Sequence, residues 1–131
     1  MRFVLFFFIT VTSISCDNTS NIQTLSSPSR NIKIRLDINH NRSQPTKYEC
    51  LVLSIFNRNS EILTIEQTGA SNYSKWAAAW HPKNDTFILY SQDIGSLAWR
   101  FDLKNIVEPI KVDSSLERLG KEAFNKKYSS N

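Results

Sequence analysis

Residues 76–103 constrain the fold most, because strand-like runs alternate there with two short turn sequences. The run Thr86–Ser91 is rich in aromatic and β-branched residues, which favours a strand. Residues 96–103 alternate, as a strand that buries one face would, and that face carries Leu97, Trp99, Phe101 and Leu103. Residues 75–80 have an alanine-rich centre that would also suit a helix. Because they end at His81-Pro82, they are interpreted as a third strand.

Further strands are predicted on both sides of this segment. Residues 31–38 alternate isoleucine or leucine with charged residues, as a half-buried strand would. Residues 47–57 are more continuously apolar, which favours a central strand, and residues 61–67 are expected to form a hairpin with them. Residues 106–112 contain Pro109, which lacks a backbone N–H and is typical of an edge strand.

Residues Ser114–Tyr128 predict a C-terminal helix. Ser114 and Glu117 have the spacing of a capping box, and the apolar residues of the segment recur at helical spacing. The predicted fold class is therefore α+β and mostly β, with a single antiparallel sheet of about five or six strands and one C-terminal helix packed on it. These elements form one predicted domain, residues 31–131.

The N-terminal sequence has the features of an export signal. Met1-Arg2 supplies a positive charge, and residues 3–11 form an apolar run. The length of this run lies within the roughly 7–15 residues of a signal-peptide core and is well below the about 20 residues that a membrane-spanning helix needs. A short polar stretch then leads to Ser15-Cys16.

With Ser15 before Cys16, the chain resembles a bacterial lipoprotein precursor, whose lipobox ends in a small residue followed by the lipidated cysteine. The resemblance covers residues 1–16. It implies that residues 1–15 are a signal peptide and that Cys16 becomes the acylated N-terminus. The expected localisation is then the cell envelope, on the outer membrane or the periplasmic face, with the membrane as a partner through the lipid.

Two other interpretations of Cys16 remain open. In a secreted protein it could pair with Cys50 in an oxidising compartment, or both thiols could stay free. If Cys16 is lipidated, Cys50 is a lone thiol in an apolar run, where a small buried side chain is expected. Residues 16–30 are rich in serine and asparagine, without periodicity, and predict a flexible tether between the lipid and the domain.

Residues 76–103 also resemble one blade of a β-propeller. The resemblance depends on Trp-His-Pro-Lys-Asn-Asp before one strand and on Trp-Arg-Phe-Asp-Leu closing another. A closed propeller needs roughly four to eight four-stranded blades, which 131 residues cannot supply. The resemblance therefore implies local blade-like structure only.

Composition argues against several functional classes. The 16 basic and 12 acidic residues are scattered along the chain, whereas a nucleic-acid-binding surface gathers its cations on one face. The two histidines, His40 and His81, show no zinc-ligand spacing, and no metal or cofactor is expected. The Gly-x-Ser-x-Gly motif is missing, so an enzyme is not expected. A small hydrolase that uses His81 with Ser91 and Asp93 remains an alternative, because catalytic triads are defined by geometry.

Binding is the favoured function. The predicted ligand-binding residues are Tyr73, Trp76, His81 and Asp85, of which Trp76 is expected to be exposed. Two coplanar exposed aromatic rings would favour a glycan, whereas an apolar patch or an unprotected edge strand would favour a protein partner. An inhibitor or immunity-type protein is a further alternative, and a protruding rigid loop at residues 39–46 would favour it.

Overall fold

The computed structural model of the chain describes residues 23–102, 104 and 107–129. Within them lie eight β-strands and one α-helix, and the strands form two four-stranded antiparallel sheets. Sheet A consists of β1 (Gln23–Ser26), β2 (Ile32–Ile38), β3 (Cys50–Asn57) and β4 (Ile62–Ser71). Sheet B consists of β5 (Trp76–Trp80), β6 (Thr86–Ser91), β7 (Gly95–Phe101) and β8 (Val107–Ile110), and helix α1 (Ser114–Tyr128) follows. In each sheet the strands lie in chain order.

The two sheets pack face to face around a shared core. Alternating residues of each strand point to one face, and the buried apolar residues of both inner faces form one contiguous cluster. Sheet A contributes Ile32, Ile34, Leu36, Leu51, Leu53, Ile55 and Ala70, and sheet B contributes Trp76, Phe87, Leu89, Trp99 and Phe101. Each sheet therefore covers the apolar face of the other.

Helix α1 covers the outer face of sheet B. Leu116 packs there with Ile88 and Ala98 in a second, smaller cluster. Gly120 lies directly over β6: a Cβ atom at this position would stand 3.1 Å from Tyr90 Cβ and 3.2 Å from Ile88 Cγ2. The helix can approach the sheet this closely because residue 120 has no side chain.

The mostly-β fold with one C-terminal helix is confirmed, but the single sheet of five or six strands is wrong. Alternation shows which residues are buried, but it does not show whether a helix or another sheet covers them. Residues 72–75 carry the chain from sheet A into a second layer instead of into a fifth neighbouring strand.

Local boundaries also differ from the prediction. Residues 23–26 form β1, which pairs with β2, so the predicted flexible tether is wrong for this part of residues 16–30. Strand β4 continues to Ser71 instead of ending near residue 67. The helix has its predicted bounds, but Asp113 is its N-cap: the Asp113 carboxylate accepts a 2.8 Å hydrogen bond from Leu116 N–H. A carboxylate in this position also interacts favourably with the helix dipole.

The last turn of the helix covers the edge of β5. Lys127 Nζ donates to the Trp76 carbonyl at 2.8 Å, and the Tyr128 hydroxyl donates to the same oxygen at 2.9 Å and accepts from Trp76 N–H at 3.1 Å. The Lys127 ammonium also lies 3.5 Å from the centroid of the Trp76 ring. These contacts occupy backbone groups that an edge strand would otherwise offer to another strand.

Replacing Gly120 by alanine is expected to destabilise the protein. Alanine improves helix propensity by about 1 kcal/mol, but the new methyl group would crowd Tyr90 Cβ and Ile88 Cγ2, and overpacking costs about 1–3 kcal/mol. Because Tyr90 Cβ is attached directly to the strand backbone, it can yield only if the strand moves. We expect the free energy of unfolding, measured in urea, to fall by about 1 kcal/mol.

The matched control for this substitution is Asn125→Ala. Asn125 lies in the same helix and is exposed, so this variant reports helix propensity alone and should be stabilised by a few tenths of a kcal/mol. Equal stabilisation of both variants would contradict the close packing of α1 on β6.

Candidate functional site

Connecting segments cluster at two ends of the paired sheets, and an aspartate joins the sheets at each end. We call the first the Asp93 end: it comprises the β2–β3 loop (39–49), the β4–β5 connection (72–75), the β6–β7 turn (92–94) and the last turn of α1. We call the opposite one the Asp85 end: it comprises the β1–β2 turn (27–31), the β3–β4 turn (58–61), the β5–β6 turn (81–85) and the segment after β7. These assignments follow from the strand registers.

Asp93 joins the sheets at its end of the molecule. Its carboxylate accepts a 2.8 Å hydrogen bond from Ser71 N–H at the end of β4 and a short one from the Ser91 hydroxyl. Partial desolvation raises the pKa of Asp93, but the hydrogen bonds from the Ser91 hydroxyl and from the N–H groups of Ser71, Asp93 and Ile94 outweigh it, so that the pKa lies below its usual value. The carboxylate is thus held in its charged form by both sheets.

Asp85 has the same role at the opposite end. Its carboxylate accepts from the Ser29 hydroxyl at 2.5 Å and from Ser29 N–H at 3.4 Å, which connects the β5–β6 turn to sheet A. An open cleft of about 620 Å³ lies beside this contact, and Lys83 and Arg100 are among its lining residues. Asp85, a predicted binding residue, therefore faces a cleft, but its carboxylate already holds the sheets together.

His81 lies in the same turn as Asp85, beside the start of the helix. Its Nδ1 atom accepts a hydrogen bond from Lys83 N–H at 3.1 Å. Since Trp76 pairs with Ser91 and Trp80 pairs with Phe87, His81 and Ser91 lie at opposite ends of the β5–β6 hairpin, roughly 17 Å apart at the usual rise per residue. The structure therefore does not bring His81 together with Ser91 and Asp93.

The tryptophans belong mainly to the core. Trp76 is only 6% exposed, so its predicted exposure is wrong: its side chain belongs to the core between the sheets, and the last turn of α1 covers it at the edge of β5, which sequence alternation could not show. Trp99 is buried as well. Trp80 packs against Phe87 and Phe101, with ring centroids 5.1 and 5.4 Å apart. A platform of stacked, exposed tryptophans is therefore not formed.

Tyr73 is 77% exposed, in the β4–β5 connection. Its hydroxyl interacts with Glu49 of the β2–β3 loop, and this hydrogen bond to a carboxylate raises the pKa of Tyr73. Tyr73 and Trp76 thus lie near the Asp93 end, whereas His81 and Asp85 lie at the Asp85 end. The structure does not bring the four predicted residues together into one site.

The β2–β3 loop is exposed but braced from within. Asn39 is buried, and its side chain accepts from Asn41 N–H at 2.9 Å and donates to the Gln44 side chain at 2.9 Å. The Asn41 side chain in turn accepts from Ser43 N–H at 3.1 Å. Such side-chain to backbone bonds replace the strand pairing that the loop lacks. The segment 39–46 therefore has the internal bracing of a rigid loop.

The edge strand β4 carries an apolar surface that the sequence did not single out. Ile62 and Ile65 are 56% and 55% exposed, and the strand register places them beside Phe56 and Ser54 on the outer face of sheet A. A register shift between Ile55 and Phe56 interrupts regular alternation here, which is why the sequence pattern did not reveal which isoleucines face solvent. In the sequence, this exposed surface is indicated only by two isoleucines in a short run between Glu61 and Glu66.

Two classes of site can be assessed over the residues that the structure describes. Among residues 23–102, 104 and 107–129, no group of three or more His, Cys, Asp or Glu side chains could hold a metal ion. Over the same residues, no helix is long and apolar enough to cross a membrane.

Removing the Asp93 carboxylate should weaken the contact between the sheets in a pH-dependent way. Because the folded-state pKa of Asp93 is lowered, its contribution is present above the unfolded-state pKa of about 3.9 and is lost as the pH falls through the folded-state pKa. We expect Asp93→Asn to lose about 1 kcal/mol at pH 7. In urea unfolding, the difference between the two proteins should shrink below about pH 4. A difference that is independent of pH would contradict this role.

Comparisons with known proteins identify no relative. No family model matches the chain, and neither curated proteins nor solved structures give a significant match. The resemblances to a lipoprotein precursor and to a propeller blade therefore stay predictions. The functional assignment depends on the surfaces that the described residues present to solvent.

Proposed function

We propose that this chain is a non-enzymatic binding module of the bacterial cell envelope, anchored through a lipid on Cys16, which recognises a partner protein along the edge of sheet A. The observation that carries the proposal is the pair of exposed isoleucines on β4, a ten-residue strand at the edge of its sheet. Unpaired backbone groups beside exposed apolar side chains are the features that an added partner strand uses.

The other edges offer less to a partner strand. The backbone of Trp76 on β5 is already bonded to Lys127 and Tyr128. Strand β8 has four residues and includes Pro109, and β1 also has four residues. Natural sheets protect their edges by these same devices. The contrast singles out β4 as a recognition edge.

A protein partner is favoured over a glycan. Glycan platforms use exposed, coplanar aromatic rings, and the tryptophans that could have supplied them belong to the core. Ile62 and Ile65 instead offer apolar area on one face of a strand. Fully burying an exposed isoleucine side chain contributes about 1.5–3 kcal/mol, so covering the exposed half of each of these two would contribute roughly 1 kcal/mol to binding.

The lipid anchor is supported by the sequence around Cys16 and by the environment of Cys50. The Cys50 thiol is buried and lies 3.9 Å from the Thr46 carbonyl, and within the part of the chain that the structure describes it has no disulfide partner. To form a disulfide, the Cys16 thiol would have to reach this buried sulfur. Lipidation of Cys16 does not require access to the Cys50 sulfur. Secretion as a soluble, disulfide-bonded protein is the alternative localisation.

An inhibitor or immunity-type protein is the second candidate function. The braced loop 39–46 favours it, because a rigid exposed loop loses little conformational entropy when it enters a partner's cleft. Arg42 lies in this loop, with its guanidinium 5.8 Å from the centroid of the Tyr48 ring. In this alternative the loop, rather than β4, would contact the partner.

Site-specific photo-crosslinking in native envelopes tests the recognition edge. A photoreactive residue at Ile62, on the same outer face as Ile65, should give a discrete adduct with a partner protein, whereas the same residue at Lys121, on the exposed face of α1, should not. Ile65→Lys should reduce the Ile62 adduct about tenfold, because a lysine there replaces apolar contact and opposes strand addition. The matched control, Asn125→Lys, adds the same charge at an exposed position of α1 and should leave the adduct intact.

Adducts of equal yield from both positions would overturn the recognition edge. A discrete adduct from a photoreactive residue at Arg42, with none from Ile62, would favour the inhibitor-type alternative instead.

Intact-mass measurement of the membrane fraction tests the anchor. We expect a chain that begins at an acylated Cys16, with Cys16→Ser released into the soluble fraction, since acyl chains supply the stable membrane attachment. Cys50→Ser is the matched control and should stay acylated and membrane-bound. A soluble protein with a Cys16–Cys50 disulfide, which Cys16→Ser and Cys50→Ser each remove, would overturn the anchor.

A further inference from the structure

The chain enters the folded residues at the Asp93 end. Gln23, the first residue of β1, pairs with Leu36 near the end of β2. Seven Cα–Cα steps separate Cys16 from Gln23, so the two residues can be at most about 25 Å apart. If Cys16 is lipidated, as proposed above, the membrane must lie within this distance of the Asp93 end.

The connecting segments of the Asp93 end carry an excess of positive charge. The basic residues there are Arg42, Lys47, Lys75, Lys126 and Lys127, and all five are exposed. The acidic residues of the same segments are Glu49 and Asp93. Both carboxylates have partners within the protein, Tyr73 and the Ser71–Ser91 pair respectively. Five cations against two carboxylates leave an excess of three positive charges, which attracts anions to this end.

The Asp85 end does not share this excess. Its connecting segments contain Arg30, Arg58, Lys83 and Lys104 together with Glu61, Asp85 and Asp102. Four cations against three carboxylates leave this end nearly balanced. The excess of positive charge therefore lies at the Asp93 end, where the chain enters the fold.

Two amphipathic or apolar side chains also project from the Asp93 end. Tyr73 is 77% exposed and Ile94 is 43% exposed, although each lies in a short connection where polar residues are usual. Tyrosine is enriched at membrane–water interfaces, because its ring and hydroxyl suit the boundary between acyl chains and headgroups. Ile94 adds exposed apolar area at the same end, which favours a lipid surface over a free phosphate as the ligand.

We infer that the Asp93 end is a bilayer-facing surface that binds anionic lipid headgroups through Arg42, Lys47 and Lys75, with Tyr73 and Ile94 entering the interface. The inference rests on the proposed anchor for its orientation. The charges and exposed side chains stand independently of it. A surface of this kind holds the domain in one orientation, with the β3–β4 turn at the end far from the membrane and with Ile62, the first residue of β4, beside that turn.

Vesicle sedimentation of the full chain carrying Cys16→Ser tests the surface without acylation. We expect binding to vesicles of phosphatidylcholine and phosphatidylglycerol in equal amounts, and much weaker binding to phosphatidylcholine alone. Raising the salt concentration should weaken the anionic component. Residues 1–15, including Arg2, are common to every variant, so their contribution cancels when the variants are compared on the same vesicles.

Charge-removal variants locate the surface. Arg42→Ser, Lys47→Ser and Lys75→Ser combined should lower the partition coefficient up to about a hundredfold, since each cation near an anionic membrane contributes roughly fivefold. The matched control combines Arg58→Ser, Lys83→Ser and Lys104→Ser, which removes the same charge from the Asp85 end and should change it far less. Tyr73→Ser with Ile94→Ser should also weaken binding. Circular dichroism checks that each variant is folded.

The outcomes separate this inference from the anchor. Equal losses from the two triple variants, or equal binding to both kinds of vesicle, would overturn the headgroup surface even if Cys16 proves to be acylated. Selective loss from the Arg42, Lys47 and Lys75 variant, with an unacylated Cys16, would support the headgroup surface and overturn only the anchor.

Discussion

The structure depends on the mutual burial of two apolar sheet faces. A four-stranded sheet with alternating residues has one apolar face, and that face must be covered for the sheet to be stable in water. Here each sheet covers the other, and Phe87 and Leu53 are among the fully buried side chains between them. Sheet B also has apolar residues on its outer face, Ile88 and Ala98, and α1 covers them. Among the described residues no helix or strand covers the outer face of sheet A, and this difference between the sheets leaves Ile62 and Ile65 exposed.

Polar contacts at the two ends fix how the sheets meet. Apolar burial is non-directional and would tolerate some sliding of one sheet on the other. The bonds from Ser71 to Asp93 and from Ser29 to Asp85 connect opposite ends of the pair, and each one has a required distance. Together they restrict both sliding and rotation. Asp85 and Asp93, which were possible functional residues in the sequence, therefore connect the two sheets by hydrogen bonds.

The sequence predicted elements well where the local pattern was sufficient. Thr86–Ser91 and the helix Ser114–Tyr128 have their predicted bounds, because continuous apolar runs and helical periodicity depend on nearby residues. Strand β1 was missed because Gln23–Ser26 is mostly polar and owes its structure to pairing with β2. The burial of Trp76 was missed for a related reason: its ring packs in the core shared with sheet A, and Lys127, about fifty positions further along the chain, lies over it. Of the candidate site, only the exposure of Tyr73 could be recognised locally.

The sequential order of the strands has a consequence for how the protein is made. Within each sheet every strand pairs with its neighbours in the chain, so each sheet can form soon after its own residues leave the ribosome, and contacts between sequence neighbours generally form fast. Helix α1 follows all eight strands. Until it has been synthesised, the edge of β5 and the outer face of sheet B remain open to other chains. Export before folding would remove this hazard, because the whole chain would then be present when the sheets begin to pair.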